Sequence, residues 1–189
     1  MSDVSQGAPP CANLRWTDLD AENAMPNAPQ FVTDAMLGKL TKWLRVIGMD
    51  VIYDPNSTDA QLLRYAERGG RTLLTRDRHL THRRSPAYLL YIDSDYYHEQ
   101  VRQVVQAFHL ADKIQVFTRC LRCNAPLQLI AKEVVTARVP SYVYATQLTF
   151  KYCATCNRLF WGGTHRDNML RQLQTMLGDL LIIDSETPR

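Results

Sequence analysis

Short apolar runs alternate with stretches of helical period through the first half of this chain, and acids follow the runs. Phe31-Val-Thr33 stops at Asp34. From Ala35, Leu37, Leu40, Trp43, Leu44 and Ile47 then recur at helical spacing, with Lys39, Thr41, Lys42 and Arg45 between them, and Gly48 suits the stop. Met49 to Tyr53 reads as a second strand. Thr58 with Gln61 looks like a capping box for a helix with Asp59 in its first turn, Leu62, Leu63 and Ala66 on its apolar face, and Gly69-Gly70 at its end. Arg71 to Arg76 reads as a third strand ending at Asp77. Ser85-Pro86 breaks the chain before a fourth, Tyr88 to Ile92, which runs into Asp93-Ser-Asp95. Val101, Val104, Val105 and Phe108 mark another amphipathic helix. Strands separated by helices predict an α/β fold with a parallel sheet flanked by helices. Right-handed crossovers carry the carboxyl ends of its strands to one edge, where open α/β sheets bind their ligands. Asp34, Asp77 and Asp93 or Asp95 follow strands and Asp59 opens a helix, so all are expected at one cleft.

A cluster of carboxylates suits hard cations, because Mg²⁺ and Mn²⁺ prefer oxygen ligands and retain waters. Such an ion polarises a phosphodiester and acidifies bound water. Each acid also has a plain structural role open to it. Asp59 can cap its helix, Asp77 can cap a turn at Arg78–Thr81, and Asp93 or Asp95 can be a solvated loop acid. Thr75 shares a strand face with Asp77 and can bond a carboxylate or the attacking water, or be an ordinary strand residue. Lys39, Lys42, Arg45, Arg76 and Arg78 near this edge can contact phosphates, or form a solvated basic face.

From Thr118 the composition changes. Residues 118–165 carry six Lys or Arg against the single acid Glu133, and two Cys-x-x-Cys pairs, Cys120/Cys123 and Cys153/Cys156, bracket β-favouring segments such as Val134-Val135 and Tyr142-Val-Tyr144. Two thiolates three residues apart bite one Zn²⁺ from a tight knuckle, and two knuckles complete a closed Cys₄ structural site. The 29 residues between Cys123 and Cys153 leave room for an inserted hairpin. A redox pair is the competing reading, but two matched copies do not suit it. His165 in Gly162-Gly-Thr-His165 is a structural histidine, a spare ligand or an RNA contact. Tyr142, Tyr144, Phe150, Tyr152, Phe160 and Trp161 form the small module's core or stack on bases. Met169, Leu170, Leu173, Met176, Leu177 and Leu180 predict a closing helix, with Gly178 near its end. The resulting organisation is a disordered or loosely attached leader over 1–29, against which Leu14, Trp16 and Leu19 can dock a turn, an α/β domain over 30–117, a small module over 118–167, and a helix and tail over 168–189.

No apolar run approaches the roughly 20 residues of a spanning helix. No signal-peptide pattern opens the chain, and with the odd Cys11 alone in the leader the cysteines favour metal over disulfides, so a cytoplasmic protein is expected. Net charge is +3; residues 1–30 carry Arg15 against Asp3, Asp18, Asp20 and Glu22, which is −3, leaving +6 on the remainder. A basic body is compatible with a nucleic-acid partner.

Taken together, Phe31 to Asp50, Leu73-Leu-Thr-Arg-Asp77, Arg119-Cys-Leu-Arg-Cys-Asn124, Cys153-Ala-Thr-Cys156 and Trp161-Gly-Gly-Thr-His165 resemble the Mut-7 C-terminal family of ribonuclease domains, over residues 31 to about 170. The resemblance implies a PIN-like fold with an acidic Mg²⁺ or Mn²⁺ site, a zinc ribbon, and RNA as substrate. Asp34 matches the family's first acid and Asp77 that of its Thr-x-Asp motif. Asp59 falls where a second acid lies, and Asp95 fits the fourth with Asp93 close enough to compete. A metal-dependent ribonuclease is therefore expected, the alternative being a non-catalytic RNA- or ribonucleoprotein-binding module.

Overall fold

The computed structural model describes residues 28–82 and 88–180. The expectations for most of the leader, for Cys11, for the break at Ser85-Pro86 and for the tail beyond Leu180 fall outside them. The first part is β1 (Phe31–Thr33), α1 (Gly38–Val46), β2 (Val51–Tyr53), α2 (Asp59–Gly69), β3 (Thr72–Thr75), α3 (Arg78–His82), β4 (Leu89–Tyr91) and α4 (Tyr97–Ala107). The strands form one parallel sheet in the order β2-β1-β3-β4, so their carboxyl ends share an edge.

Register explains the layers. Val32 pairs with Leu73, and with Leu62, Ala66 and Leu80 they form the smaller core, beneath α2 and α3. Phe31 and Leu74 point the other way, into the larger core built with Leu40, Trp43 and Leu44 of α1 and Val101, Val104 and Val105 of α4. The capping box at Thr58/Gln61 forms as expected, and Gly70 closes α2 in the left-handed conformation. The first helix differs from expectation: a 3₁₀ turn, Ala35–Leu37, precedes α1, because Asp34 accepts the Met36 amide and so caps a turn of its own.

Gly48 ends α1 at φ +92, with the paired Gly48-to-Arg45 and Met49-to-Leu44 amide bonds of a Schellman stop. A Cβ there would lie 2.5 Å from the Gln115 carbonyl oxygen, so glycine is needed for packing as well as for conformation. Residues 115–117 lie against this helix end, with the Gln115 and Phe117 amides capping the Ile47 and Val46 carbonyls. The chain thus leaves the α/β part already anchored.

The second part holds β5 (Gln128–Ile130), α5 (Ser141–Thr146), β6 (Phe150–Cys153), β7 (Arg158–Trp161) and α6 (Thr164–Leu177), with β5-β6-β7 an antiparallel sheet. The segments expected as β are helical: Val134-Val135 lie in a 3₁₀ turn, Lys132–Val135, and Tyr142-Val-Tyr144 in α5. The overlooked signal is the four-residue spacing of Val135, Val139 and Val143, which with Phe150 form a core of their own. β-branched propensity yields to that packing.

The closing helix starts at Thr164, earlier than expected, and buries Met169, Leu173 and Leu177 in the larger α/β core against α4. Among the described residues no helix is long and apolar enough to cross a membrane. Leu173→Ala is expected to cost about 2–5 kcal/mol of stability in denaturant melts. Leu148→Ala, at a side chain 75 % exposed, is expected to change it by less than about 0.5 kcal/mol.

Candidate functional site

Asp34 leaves β1 at the carboxyl edge of the sheet and is 6 % exposed. Its Oδ1 accepts the Met36 amide at 2.8 Å, and its Oδ2 accepts the Thr75 hydroxyl at 2.6 Å and the Arg76 amide at 2.8 Å. Three donors fix this carboxylate where β1 and β3 end side by side. The fully buried Thr75 hydroxyl also accepts the Asp77 amide at 2.9 Å, so one side chain orients the loop of both acids. Thr75 therefore bonds a carboxylate, that of Asp34 across the strand pair. Asp77, half-buried, accepts the His79 amide on Oδ1 at 2.7 Å and caps α3.

The remaining acids are more loosely arranged. Asp59 opens α2, half-buried. Asp93 follows β4 and is held by Gln103 of α4, which accepts its amide and donates to its Oδ2 at 3.1 Å. Asp95 is 79 % exposed and ion-paired to the Arg76 guanidinium. Among the described residues, the one group of three or more potential metal-binding side chains whose ligand atoms cluster is the four cysteines. The acids share an edge without gathering into a cage.

The basic residues divide. Lys39 and Lys42 are exposed on α1, the Lys39 ammonium lying 5.7 Å from the Tyr97 ring centroid. Arg76 is committed to Asp95. Arg45, expected near phosphate, is instead 5 % exposed and structural. Its Nε and one terminal nitrogen donate to the Val51 carbonyl, and the other to those of Leu121 and Arg122 in the first knuckle. Helical periodicity could not reveal this, because the guanidinium reaches past the helix to a segment 76 residues on.

The cysteines meet as the spacing predicts, in a cluster consistent with a zinc ribbon. Their sulfurs all lie within 4.8 Å of one another, and Cys123 and Cys153 are 3.5 Å apart, free thiols rather than a disulfide. Asn124 and Asn157, each just after the second cysteine of a pair, take positive φ and turn the two knuckles. Cys120 is drawn down to about 5, first by the Cys123 hydrogen bond and then, against burial, by the Cys123 and Arg122 amides. Cys123 is pushed up by its bond to Cys120 and by burial.

His165 is exposed in the first turn of α6, outside this group. Phe150 is core and Phe160 packs on the cysteines, Tyr144 and Tyr152 lie under Lys132 and Arg138, while Tyr142 and Trp161 are exposed.

A polar knot that the sequence reading missed ties the knuckle to the amino edge of the sheet. Asp50 meets Arg71 at 2.7 Å, Arg119 at 3.5 Å and the Asn124 amide nitrogen at 2.8 Å, while the Asn124 oxygen accepts the Val51 amide. A cavity of about 330 Å³ lies beside it, lined in part by Gly48, Asp50, Gln115 and Arg119, at the edge away from the acids. Burial alone would raise the Asp50 pKa, but the Arg71 bond and charge, with Arg119 and Asn124, hold it below the ordinary range. A carboxyl with a depressed folded pKa contributes stability above its unfolded value, about 3.9, and that contribution is lost as pH falls through the folded value. Asp50→Asn is expected to cost about 3–5 kcal/mol at neutral pH and to flatten the acid limb of a Tm-against-pH profile.

Among known proteins, the model of the Mut7-C RNAse domain matches residues 29–173. No curated protein and no solved structure matches the chain. The matched span takes in the strand-end acids, the polar knot, both knuckles and most of α6. The chain belongs to the Mut7-C RNAse domain family.

Proposed function

We propose that this chain is a metal-dependent ribonuclease that hydrolyses RNA phosphodiesters at the carboxyl edge of its parallel sheet, steadied by a Cys₄ zinc ribbon that helps hold the RNA. The observation that carries the reading is Asp34: a buried carboxylate at the end of a central strand, oriented by three donors and linked through Thr75 to Asp77. A donor set of oxygens alone suits Mg²⁺ or Mn²⁺, and acids that share an edge without forming a cage suit an ion that keeps most of its waters. Asp34 and Asp77 would hold it, with Asp59 and Asp95 or Asp93 at the rim. When bound, the ion supplies the Lewis acidity and the acidified water that hydrolysis needs. Thr75 keeps the Asp34 carboxylate aimed, and the exposed Lys39 and Lys42 offer charge to the RNA backbone.

The four thiols fit Zn²⁺, whose bonds to sulfur are about 2.3 Å and tetrahedral. Arg45 lies close enough to Cys120 and Cys123 to offset part of the −2 charge of such a centre. A second reading, a non-catalytic RNA-binding module, draws on the acids' failure to gather and on the pairing of Asp95 with Arg76.

Labelled RNA incubated with pure protein separates the two. Cleavage that needs Mg²⁺ or Mn²⁺, stops with EDTA and vanishes in Asp34→Asn and Asp77→Asn is expected; equal cleavage by wild type and Asp77→Asn would sink the ribonuclease reading. Thr75→Val, which removes both the hydroxyl donor to Asp34 and the acceptor of the Asp77 amide, is expected to cost roughly 10–100-fold in rate. Metal analysis of freshly reduced protein is expected to find one zinc per chain. Cys153→Ser should lose it and lower the Tm of the whole chain in one transition, because Arg45 and Asn124 join the knuckle to the sheet.

A further inference from the structure

The arginine at the acid edge behaves unlike its neighbours. Lys39 and Arg78 rest near aromatic rings, those of Tyr97 and Tyr91, whereas the Arg76 guanidinium sits on the Asp95 carboxylate. Its backbone amide is meanwhile bonded to Asp34, so one residue contacts two acids of the edge by two different groups. The side chain is largely buried, at 19 % exposure, and its Nε is buried with no hydrogen-bond partner. The acid it holds is 79 % exposed. A pair whose carboxylate lies so open to water is weakly held, and an orphaned N–H on the guanidinium makes the pose costlier still.

We propose that Arg76 is a built-in counter-cation of the acid edge, occupying Asp95 until a divalent cation displaces it. This rests on the metal-dependent reading above. Two cations cannot share one exposed carboxylate cheaply, so binding of the ion and release of the guanidinium are linked, and each opposes the other's hold on Asp95. Arg76 engaged with Asp95 is poorly placed for phosphate. Once displaced, its planar fork matches a phosphate oxygen pair, so RNA contact through this residue follows metal binding. Arg76 is in this sense a positioning residue, acting on Asp95.

Calorimetric titration of the full chain with Mn²⁺ reads the linkage without any turnover. Arg76→Gln leaves the amide bond to Asp34 in place and is expected to bind Mn²⁺ several-fold more tightly than wild type. Arg78→Gln, which removes a nearby charge not paired with Asp95, is expected to bind as wild type does, and the gain from Arg76→Gln is expected to vanish in an Asp95→Asn background. Equal or weaker binding by Arg76→Gln, the same gain from Arg78→Gln, or a gain that survives Asp95→Asn would each overturn the inference and leave the metal-dependent reading standing. Absence of Mn²⁺ binding in wild type and every variant would overturn both. A second measurement needs no variant to fold: the Arg76 Nε–H resonance of wild type should shift as Mg²⁺ is added, and a resonance that stays fixed through saturation overturns the inference.

Discussion

Asp50 is the residue on which the two halves of the molecule depend. It precedes an edge strand, yet it gathers Arg71 from the start of β3, and Arg119 and Asn124 from the knuckle. Two guanidinium groups and a carboxylate largely withdrawn from water together are tolerable only when nearly every donor and acceptor is matched. Here the Arg119 donors that do not face Asp50 reach the Gly48 and Asn124 carbonyls, and a further Arg71 bond reaches that of Phe31. Arg45 extends the same logic inward from α1. The knuckle is therefore continuous with the sheet's amino edge.

The two edges of the sheet divide the labour. At the amino edge charge is neutralised inside the protein, by arginines committed to carbonyls and to Asp50. At the carboxyl edge Asp34 is satisfied by neutral donors alone, a hydroxyl and two amides, which orient a carboxylate without cancelling its charge. Asp95, exposed at that edge, is paired with the Arg76 guanidinium. An edge that keeps its negative charge is what a cation needs, and an amino edge that has spent its own is what a structural joint needs.

Much of this was legible in the chain. Apolar runs ending in acids gave the strand order in sequence, helical spacing gave α1, α2 and α4, and the paired cysteines gave the cluster that forms. The misreadings have physical causes. Val134-Val135 and Tyr142-Val-Tyr144 carry β-branched and aromatic residues, and only the longer spacing of Val135, Val139 and Val143 betrays a helical core. Arg45 looked like the polar face of an amphipathic helix because periodicity sees a side chain's direction and not its reach. Asp50, Arg71 and Arg119 lie far apart in sequence, and no local pattern marks residues that meet only when the sheet and the knuckle have both formed. The asparagines after each cysteine pair were visible, but their meaning, a left-handed turn that in Asn124 also binds the sheet, is conformational.

The return of α6 to the first core has a consequence for how the chain acquires its structure. Met169, Leu173 and Leu177 fill the layer begun by Phe31 and Leu40, so the sheet domain is written in two pieces with the cysteine module between them. During synthesis the sheet and its early helices emerge with one side of the core still open, and the knuckles are complete before the residues that seal it arrive. Contacts of such long sequence separation slow folding and leave apolar surface waiting. Early organisation of the knuckles would shorten the effective loop that α6 must close, so the cysteine module can serve as a folding clamp for the domain that surrounds it.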